Sequence, residues 1–302
     1  MLAIPYAGRT VSAAPLSPSR SAPTVAALAT IALVAFASNS LLCRLALAEG
    51  RIDAASFTAV RITSGALMLV VLVALRRGTG AARAGSWGSA LALFLYAAPF
   101  SFAYLSLGAG VGALILFGAV QLTMVGYGVR RGERPPARVW LGLVVAFGGL
   151  IALAAPGASA PAPTGAALMA VAGVAWGLYS VRGRGAVDPL AATAGNFVRC
   201  VPLALAVAAV GLLRGASVTA SGLVLAAISG AVTSGGGYAL WYAVLPALTM
   251  TRAAVVQLLV PIGAAAGGVL VLGEPVTARL IGAGAVVVGG VALALRARAR
   301  AR

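Results

Sequence analysis

The chain has 302 residues, of which 61% are hydrophobic and only 9% charged, and its formal charge of +17 comes from 22 arginines against five acids. Charged residues make up about 25% of an ordinary globular protein, so this composition nearly excludes a water-soluble enzyme and predicts an integral membrane protein. The arginines lie mostly in the short segments between apolar runs instead of clustering on one solvated face, which argues against nucleic-acid binding.

Apolar stretches of membrane-crossing length follow one another from Thr24 onward. A helix needs about 20 residues to cross the hydrocarbon core of a bilayer, and ten stretches of roughly this length alternate with short Gly, Pro and Arg segments. Their apolar residues are continuous, which favours helices over a transmembrane barrel with its alternating pattern. The predicted spans are 25–48, 54–75, 86–106, 109–129, 139–155, 164–181, 190–213, 218–245, 253–272 and 277–295.

The distribution of arginine predicts the orientation in the membrane, because cytoplasmic loops carry an excess of basic residues. With both termini placed inside, the predicted outer loops carry only Arg51, Arg214 and Arg279. We therefore predict a multi-pass protein of a bacterial inner membrane, with a flexible cytoplasmic tail at 1–24 and a basic cytoplasmic tail at 297–302. The positive charge then requires no partner beyond anionic lipid.

The two halves of the chain share a motif order. Gly132-Glu133 and Gly148-Gly149 recur as Gly273-Glu274 and Gly289-Gly290 at one constant offset. Each half then contains five spans, and because five is odd the second half enters the bilayer from the opposite side. The predicted fold is all-α, with ten transmembrane helices in two inverted five-helix repeats. The predicted units are a first repeat at 25–155, a linker at 156–163 and a second repeat at 164–296.

Several motifs stand in a recognisable order along these repeats. They are Ser38–Arg44, Arg61, Gly132–Glu133, Gly148–Gly149, Tyr238–Tyr242, Pro261, Gly273–Pro275 and Gly289–Gly290. In order, spacing and duplication they resemble the drug/metabolite transporter superfamily, and within it the proteins with two EamA-type repeats. The resemblance implies a ten-helix exporter or permease of small metabolites with a central cavity between the repeats, and it leaves the solute open.

Two arginines lie inside predicted spans, Arg61 in the second and Arg199 in the seventh. An arginine at the centre of a span costs roughly 2.5–3.5 kcal/mol on the insertion scale, so each needs a partner. We predict that one or both bind a carboxylate or phosphate of the substrate by bidentate hydrogen bonds. The alternative is a packing role, with the guanidinium snorkelling or paired with backbone carbonyls.

Uncharged polar and aromatic residues within the spans complete the predicted substrate-binding site. The polar ones can hydrogen-bond a zwitterion or bond across helices, and the aromatic ones share single helix faces that either line a cavity or simply pack. These residues are Asn39, Gln121, Trp176, Tyr179, Asn196, Tyr238, Trp241, Tyr242 and Gln257.

The remaining reactive side chains are predicted to be structural. Glu133 and Glu274 each precede the last helix of a repeat, where a carboxylate can cap the positive helix end. Cys43 and Cys200 lie in apolar segments without metal-ligand spacing and are predicted to be small buried residues. The chain has no histidine, and all five acids fall in loops or at span ends. We therefore predict no metal, no cofactor and no enzymatic activity, and disfavour proton coupling.

The sequence predicts a transporter that alternates a central site between the two sides of the membrane. The predicted cargo is a small amino acid or related carboxylated metabolite, and the predicted partners are this solute and the lipid bilayer, without nucleic acid. One alternative is a broad exporter of apolar or aromatic compounds. The other is a membrane scaffold that transports nothing. The oligomeric state does not follow from the sequence.

Overall fold

The computed structural model describes residues 21–77, 84–132, 134–155, 160–183, 186–248 and 256–299. This part of the chain is helical, apart from turns and an isolated antiparallel bridge between Ile52 and Val218. The helices are α1 (Ala22–Ala48), α2 (Ala54–Arg77), α3 (Trp87–Ala103), α4 (Ala109–Arg130), α5 (Ala137–Ala154), α6 (Pro163–Gly183), α7 (Pro189–Leu213), α8 (Ala220–Val244), α9 (Leu259–Leu272) and α10 (Ala278–Ala299).

These ten helices of the described ranges match the ten predicted spans in order and confirm an all-helical membrane fold. Six of them, α1, α2, α4, α6, α7 and α8, are long and apolar enough to cross a membrane. The apolar parts of α3, α5, α9 and α10 are 10–17 residues long. Of the predicted tails, linker and caps, residues 1–20, 156–159 and 300–302 and Glu133 lie outside the described residues.

The helices of one half pack mainly on helices of the other half. α2 packs on α7 and α5 packs on α10, while α1 packs chiefly on α8 and α9, and α6 chiefly on α3 and α4. If each helix of α1–α5 exchanges its label with the corresponding helix of α6–α10, the list of main contacts stays the same. This is the contact pattern that an inverted repeat generates about a pseudo-two-fold axis.

The loops gather at two opposite ends of the helix bundle. At one end the Ile52–Val218 bridge joins the loops after α1 and α7, and Arg44 Nη1 donates to the Tyr104 carbonyl, 3.0 Å away, in the loop after α3. At the other end the segment before α3 contacts Asn196 and Arg199 of α7. Following the arginine distribution, we call the first end the outer face and the second the inner face.

The α5–α10 contact depends on glycines that bring the two backbones together. A Cβ on Gly149 would lie 2.9 Å from Val287 Cγ2. A Cβ on Gly290 would lie 2.5 Å from the Ala146 nitrogen and 2.6 Å from the Gly142 carbonyl oxygen. Because backbone atoms cannot move aside as a flexible side chain can, α5 and α10 fit together only when these positions carry no side chain.

Replacing Gly290 by alanine is therefore expected to destabilise the protein by about 1–3 kcal/mol, the usual cost of overpacking a well-packed contact. The thermal unfolding midpoint in detergent should fall by several degrees. The adjacent Gly289 supplies a matched control, because a Cβ there meets nothing within 4 Å. Equal midpoints for Gly290→Ala and Gly289→Ala would contradict this account of the contact.

Candidate functional site

A buried arginine lies near the middle of the bundle. Arg61 on α2 is only 3% exposed. Its Nη2 donates to the Tyr96 hydroxyl on α3 at 2.9 Å, and its Nε donates to Ser234 Oγ on α8 at 3.4 Å. The third nitrogen, Nη1, is buried and has no hydrogen-bond partner among the described residues. One nitrogen of this buried guanidinium thus lacks a hydrogen bond within the described ranges.

The surroundings of this guanidinium contain aromatic rings and no acid. Arg61 Cζ lies 4.7 Å from the ring centre of Phe100 and 5.4 Å from that of Tyr96. No carboxylate of the described residues lies within ion-pair distance of Arg61. Cation–π contacts compensate part of the cost of burying a charge, but an unpaired buried ion still costs several kcal/mol. Arg61 is therefore a candidate position for binding an anion.

The middle of α8 is wound as a π-helix from Ser229 to Gly236. The i→i+5 pairing of a π turn aligns residues that an α-helix would point apart, and Ser234 Oγ accordingly donates to the carbonyl of Ser229 at 2.8 Å. The wide turn directs the hydroxyls of Ser229, Thr233 and Ser234 toward α1 and α2. Single π turns inside α-helices occur frequently at functional sites.

These hydroxyls converge on Asn39 of α1. The Oδ1 atom of Asn39 lies 2.9 Å from Ser229 Oγ, 2.5 Å from Thr233 Oγ1 and 3.4 Å from Ser234 Oγ. Because Ser234 also contacts Arg61, the polar groups of α1, α2 and α8 form one connected group. We call Asn39, Arg61, Ser229, Thr233 and Ser234 the Arg61 group.

Aromatic rings extend from the Arg61 group through the bundle. Trp176 on α6 lies with its ring centre 4.8 Å from Tyr96, 5.4 Å from Tyr179 and 5.5 Å from Tyr238. Tyr238 in turn lies 6.2 Å from Tyr242, with nearly parallel rings. Four of the aromatic residues predicted for the site are thus brought together, and Tyr96 joins them to Arg61.

A second polar group lies around Asn196 on α7. Asn196 Nδ2 donates to the Tyr179 hydroxyl at 3.3 Å, and Asn196 Oδ1 accepts from the backbone N–H of Ser86 at 2.9 Å. Thr193 Oγ1 lies 3.2 Å from the hydroxyls of both Tyr179 and Tyr242. We call Tyr179, Thr193, Asn196 and Tyr242 the Asn196 cluster. Its members come from α6, α7 and α8, and all of them are uncharged.

Comparison with known proteins gives one relative and one family model. PA1977, an uncharacterized protein of Pseudomonas aeruginosa, is 53% identical over 273 residues, covering 90% of this chain and 94% of that protein. The profile of the EamA-like transporter family matches residues 163–296, from α6 to α10. The chain belongs to the EamA-like transporter family.

A solved structure shares the fold of this chain. A protein of known crystal structure aligns with a TM-score of 0.64 at 20% sequence identity, covering 93% of this chain and 100% of that one. At this identity the likeness shows a shared fold. EamA-like proteins are membrane transporters of small solutes and not enzymes, so this chain is a multi-pass transmembrane transporter. The family resemblance of the sequence is confirmed.

Other predicted residues of this EamA-like transporter lie apart from the Arg61 group. Arg199 Nη1 donates to the backbone carbonyls of Ala84 and Gly195, at 2.6 and 2.8 Å, which is the packing arrangement that the sequence left open. Trp241 contacts Phe36 at 6.1 Å between ring centres and belongs to a second apolar cluster. Gln121 is buried on α4 and Gln257 is half-buried before α9, without a described hydrogen bond to Arg61.

Glu274 caps a helix, but a different one from the helix predicted. Both of its carboxylate oxygens lie 2.9 Å from the backbone nitrogen of Ala109, the first residue of α4. Its Oε1 also lies 3.6 Å from Arg44 Nε. Thr277 instead accepts the hydrogen bond of Leu280 N at the start of α10. The carboxylate thus connects the two halves of this EamA-like fold at the outer face.

Four residues that contact Arg61 or Asn39 were missed by reasoning from the sequence. Tyr96, Ser229, Thr233 and Ser234 hold Arg61 and Asn39, yet single hydroxyls in spans carry no distinctive spacing. The run from Ser229 to Gly237 is unusually rich in Ser, Thr and Gly. That local excess of small polar residues in an apolar span is the signal that points to them.

Proposed function

We propose that this transporter binds the carboxylate of its solute at Arg61 and that the solute is an amino acid or a related carboxylated metabolite. The observation that carries the proposal is Arg61 Nη1, a buried cationic donor for which the described part of the chain supplies no partner. A carboxylate oxygen placed there completes the hydrogen bonds of the guanidinium and compensates its charge. Such charge-assisted hydrogen bonds are roughly twice as strong as neutral ones.

The groups beside Arg61 support a zwitterion as cargo. The hydroxyl oxygens of Ser229, Thr233 and Ser234 are hydrogen-bond acceptors for an ammonium group, and they lie in the same connected group as Arg61. The rings of Tyr96 and Trp176 offer an apolar surface to a solute side chain. An ammonium group also interacts favourably with aromatic faces.

The aromatic rings favour a second candidate, a broad exporter of apolar or aromatic compounds. Stacked and tilted rings from α3, α6 and α8 form one contiguous surface. In that case the solute binds by ring contacts, and Arg61 serves to hold Tyr96 and Ser234.

We further propose two inverted repeats, 25–155 and 164–296, that expose the site alternately at the two faces of a bacterial inner membrane, with both termini in the cytoplasm. The distribution of arginine between loops supports this orientation. The exchange of contacts between the two halves supports the repeats. The relative in Pseudomonas aeruginosa supports a bacterial membrane.

The test is counterflow in proteoliposomes with L-leucine and with L-leucinamide, which lacks the carboxylate. We expect saturable flux of leucine only, and a decrease in kcat/KM of roughly tenfold or more in Arg61→Gln, since hydrogen bonds to charged groups contribute about 1.5–3 kcal/mol. Arg130→Gln is the control, because this arginine is exposed at the end of α4. Flux of both solutes that survives Arg61→Gln but is lost in Tyr242→Ala would instead support the aromatic exporter.

A further inference from the structure

The first turns of α2 and α7 are built alike. Asp53 Oδ1 accepts from the N–H of Ser56 at 2.9 Å, and Asp188 Oδ1 accepts from the N–H of Ala191 at 3.2 Å, each three residues further on. Five residues after each aspartate, Thr58 and Thr193 donate to the carbonyl four residues back. The two helices therefore share one register, counted from their capping aspartates.

In this register Arg61 corresponds to Asn196 and not to Arg199. Arg61 and Asn196 both stand eight residues after the capping aspartate. Both side chains are buried, with exposures of 3% and 4%. Both donate to a tyrosine hydroxyl, Arg61 to Tyr96 and Asn196 to Tyr179. The two positions are equivalent in the two halves, but only one carries a charge.

The two positions lie at different depths. α2 begins at the outer face and α7 begins at the inner face, so seven residues at 1.5 Å per residue place each side chain about 10 Å below its own face. The hydrogen bond from the Ser86 N–H, at the start of α3, holds Asn196 toward the inner face. Arg61 thus belongs to the outer half of the bundle and the Asn196 cluster to the inner half.

Aromatic rings connect the two positions without interruption. Trp176 contacts Tyr96, the partner of Arg61, and stacks on Tyr179, the partner of Asn196, with an interplanar angle of 25°. Tyr238 packs against Trp176 and stacks on Tyr242. These rings join the surroundings of Arg61 to the hydroxyl and amide groups of the Asn196 cluster.

We infer that the Asn196 cluster is a second, uncharged binding site for the carboxylate of the same solute, at the inner end of the path from Arg61. Its donors are the Tyr242 hydroxyl, which accepts from Thr193 Oγ1, and the Asn196 N–H that is not bonded to Tyr179. The inference rests on the proposed function of Arg61. Since neutral donors bind a carboxylate less tightly than a guanidinium does, the half-saturating concentration is at least about fivefold higher from the inner face than from the outer face.

The experiment measures half-saturating concentrations of L-leucine from each face in proteoliposomes of determined orientation. Asn196→Asp exchanges amide donors for a repelling carboxylate at nearly constant size. We expect the half-saturating concentration to rise at least tenfold from the inner face and less than twofold from the outer face. Arg61→Gln is expected to act in the opposite sense, mainly from the outer face.

A second variant keeps the test decisive if Asn196→Asp fails to fold. Tyr242→Phe removes one donor and is expected to raise the half-saturating concentration from the inner face at least threefold. Tyr127→Phe is its control, since the Tyr127 hydroxyl accepts a hydrogen bond from Arg131 at the end of α4 and lies outside the cluster. Equal changes at both faces, or none, overturn the second site. A failure of the proposed function gives a different result, because Arg61→Gln then leaves the half-saturating concentrations at both faces unchanged.

Discussion

Gly230→Ala is expected to reduce transport to background while the protein still inserts into the membrane. Gly230 lies in the π-helical segment of α8 and packs directly on α2. A Cβ at this position would overlap Ser64 Oγ and the carbonyl oxygen of Arg61, and would lie 2.8 Å from the Arg61 carbonyl carbon. Because these are largely backbone atoms, α8 must move away from α2 and carry Ser234 away from Arg61.

The measurement is leucine counterflow together with size-exclusion chromatography in detergent. Gly236→Ala is the matched control from the same π-helical segment, since the atom nearest to its Cβ, the Ala231 carbonyl oxygen, lies 3.8 Å away. We expect the control to transport at no less than half the wild-type rate. Wild-type transport by Gly230→Ala would show that the contact between α8 and Arg61 is dispensable.

Glu274→Gln is expected to open the outer face. Glu274 binds the N-terminus of α4 and lies beside Arg44 of α1, and both partners of the Arg44–Glu274 pair are largely buried, with side-chain exposures of 25% and 19%. Losing the charged contacts should cost about 2 kcal/mol, which corresponds to roughly a thirtyfold change in the population of an open state.

Cys43, fully buried on α1 beside Arg44, reports this opening. With a membrane-impermeant maleimide applied at the outer face, its labelling rate should increase at least tenfold in Glu274→Gln. Cys200→Ser serves as the background, so that one thiol is followed. Glu49→Gln is the control, because within the described ranges that carboxylate pairs with its near neighbour Arg51, and its side chain is 54% exposed. Identical labelling in both variants would contradict a closing role for Glu274.

The helices could be predicted from the sequence because a lipid environment imposes a simple rule on apolar run length. The start of α8 shows the size of the difference between a predicted and an observed helix boundary. The predicted span begins at 218, while the helix begins at Ala220 because the side chain of Thr219 accepts the Gly222 N–H at 3.1 Å. Arg61 could also be singled out, since a charge within a span requires a partner.

The rest of the site depends on geometry that single residues do not reveal. A π turn inserts one residue into α8, so no periodic pattern predicts that Ser229 and Ser234 share a face. The partner of Glu274 is a backbone N–H that lies 165 residues away along the chain. Arg61 corresponds to Asn196 when the residues of α2 and α7 are counted from their capping aspartates. The presence of one arginine in each helix suggests a different pairing, which that register does not support.

Because the first helix of each half packs on helices of the other half, the order of synthesis limits when the site can assemble. α1 packs chiefly on α8 and α9, and α8 begins only at Ala220. At roughly 5–20 residues per second, α1 therefore waits on the order of 10–30 s in the bilayer before its neighbours have been made. During this interval Asn39 lacks the hydroxyl groups of α8 to which it is hydrogen-bonded in the folded protein. The first half of the chain cannot complete its own tertiary structure, and assembly of the Arg61 group is a late event in folding.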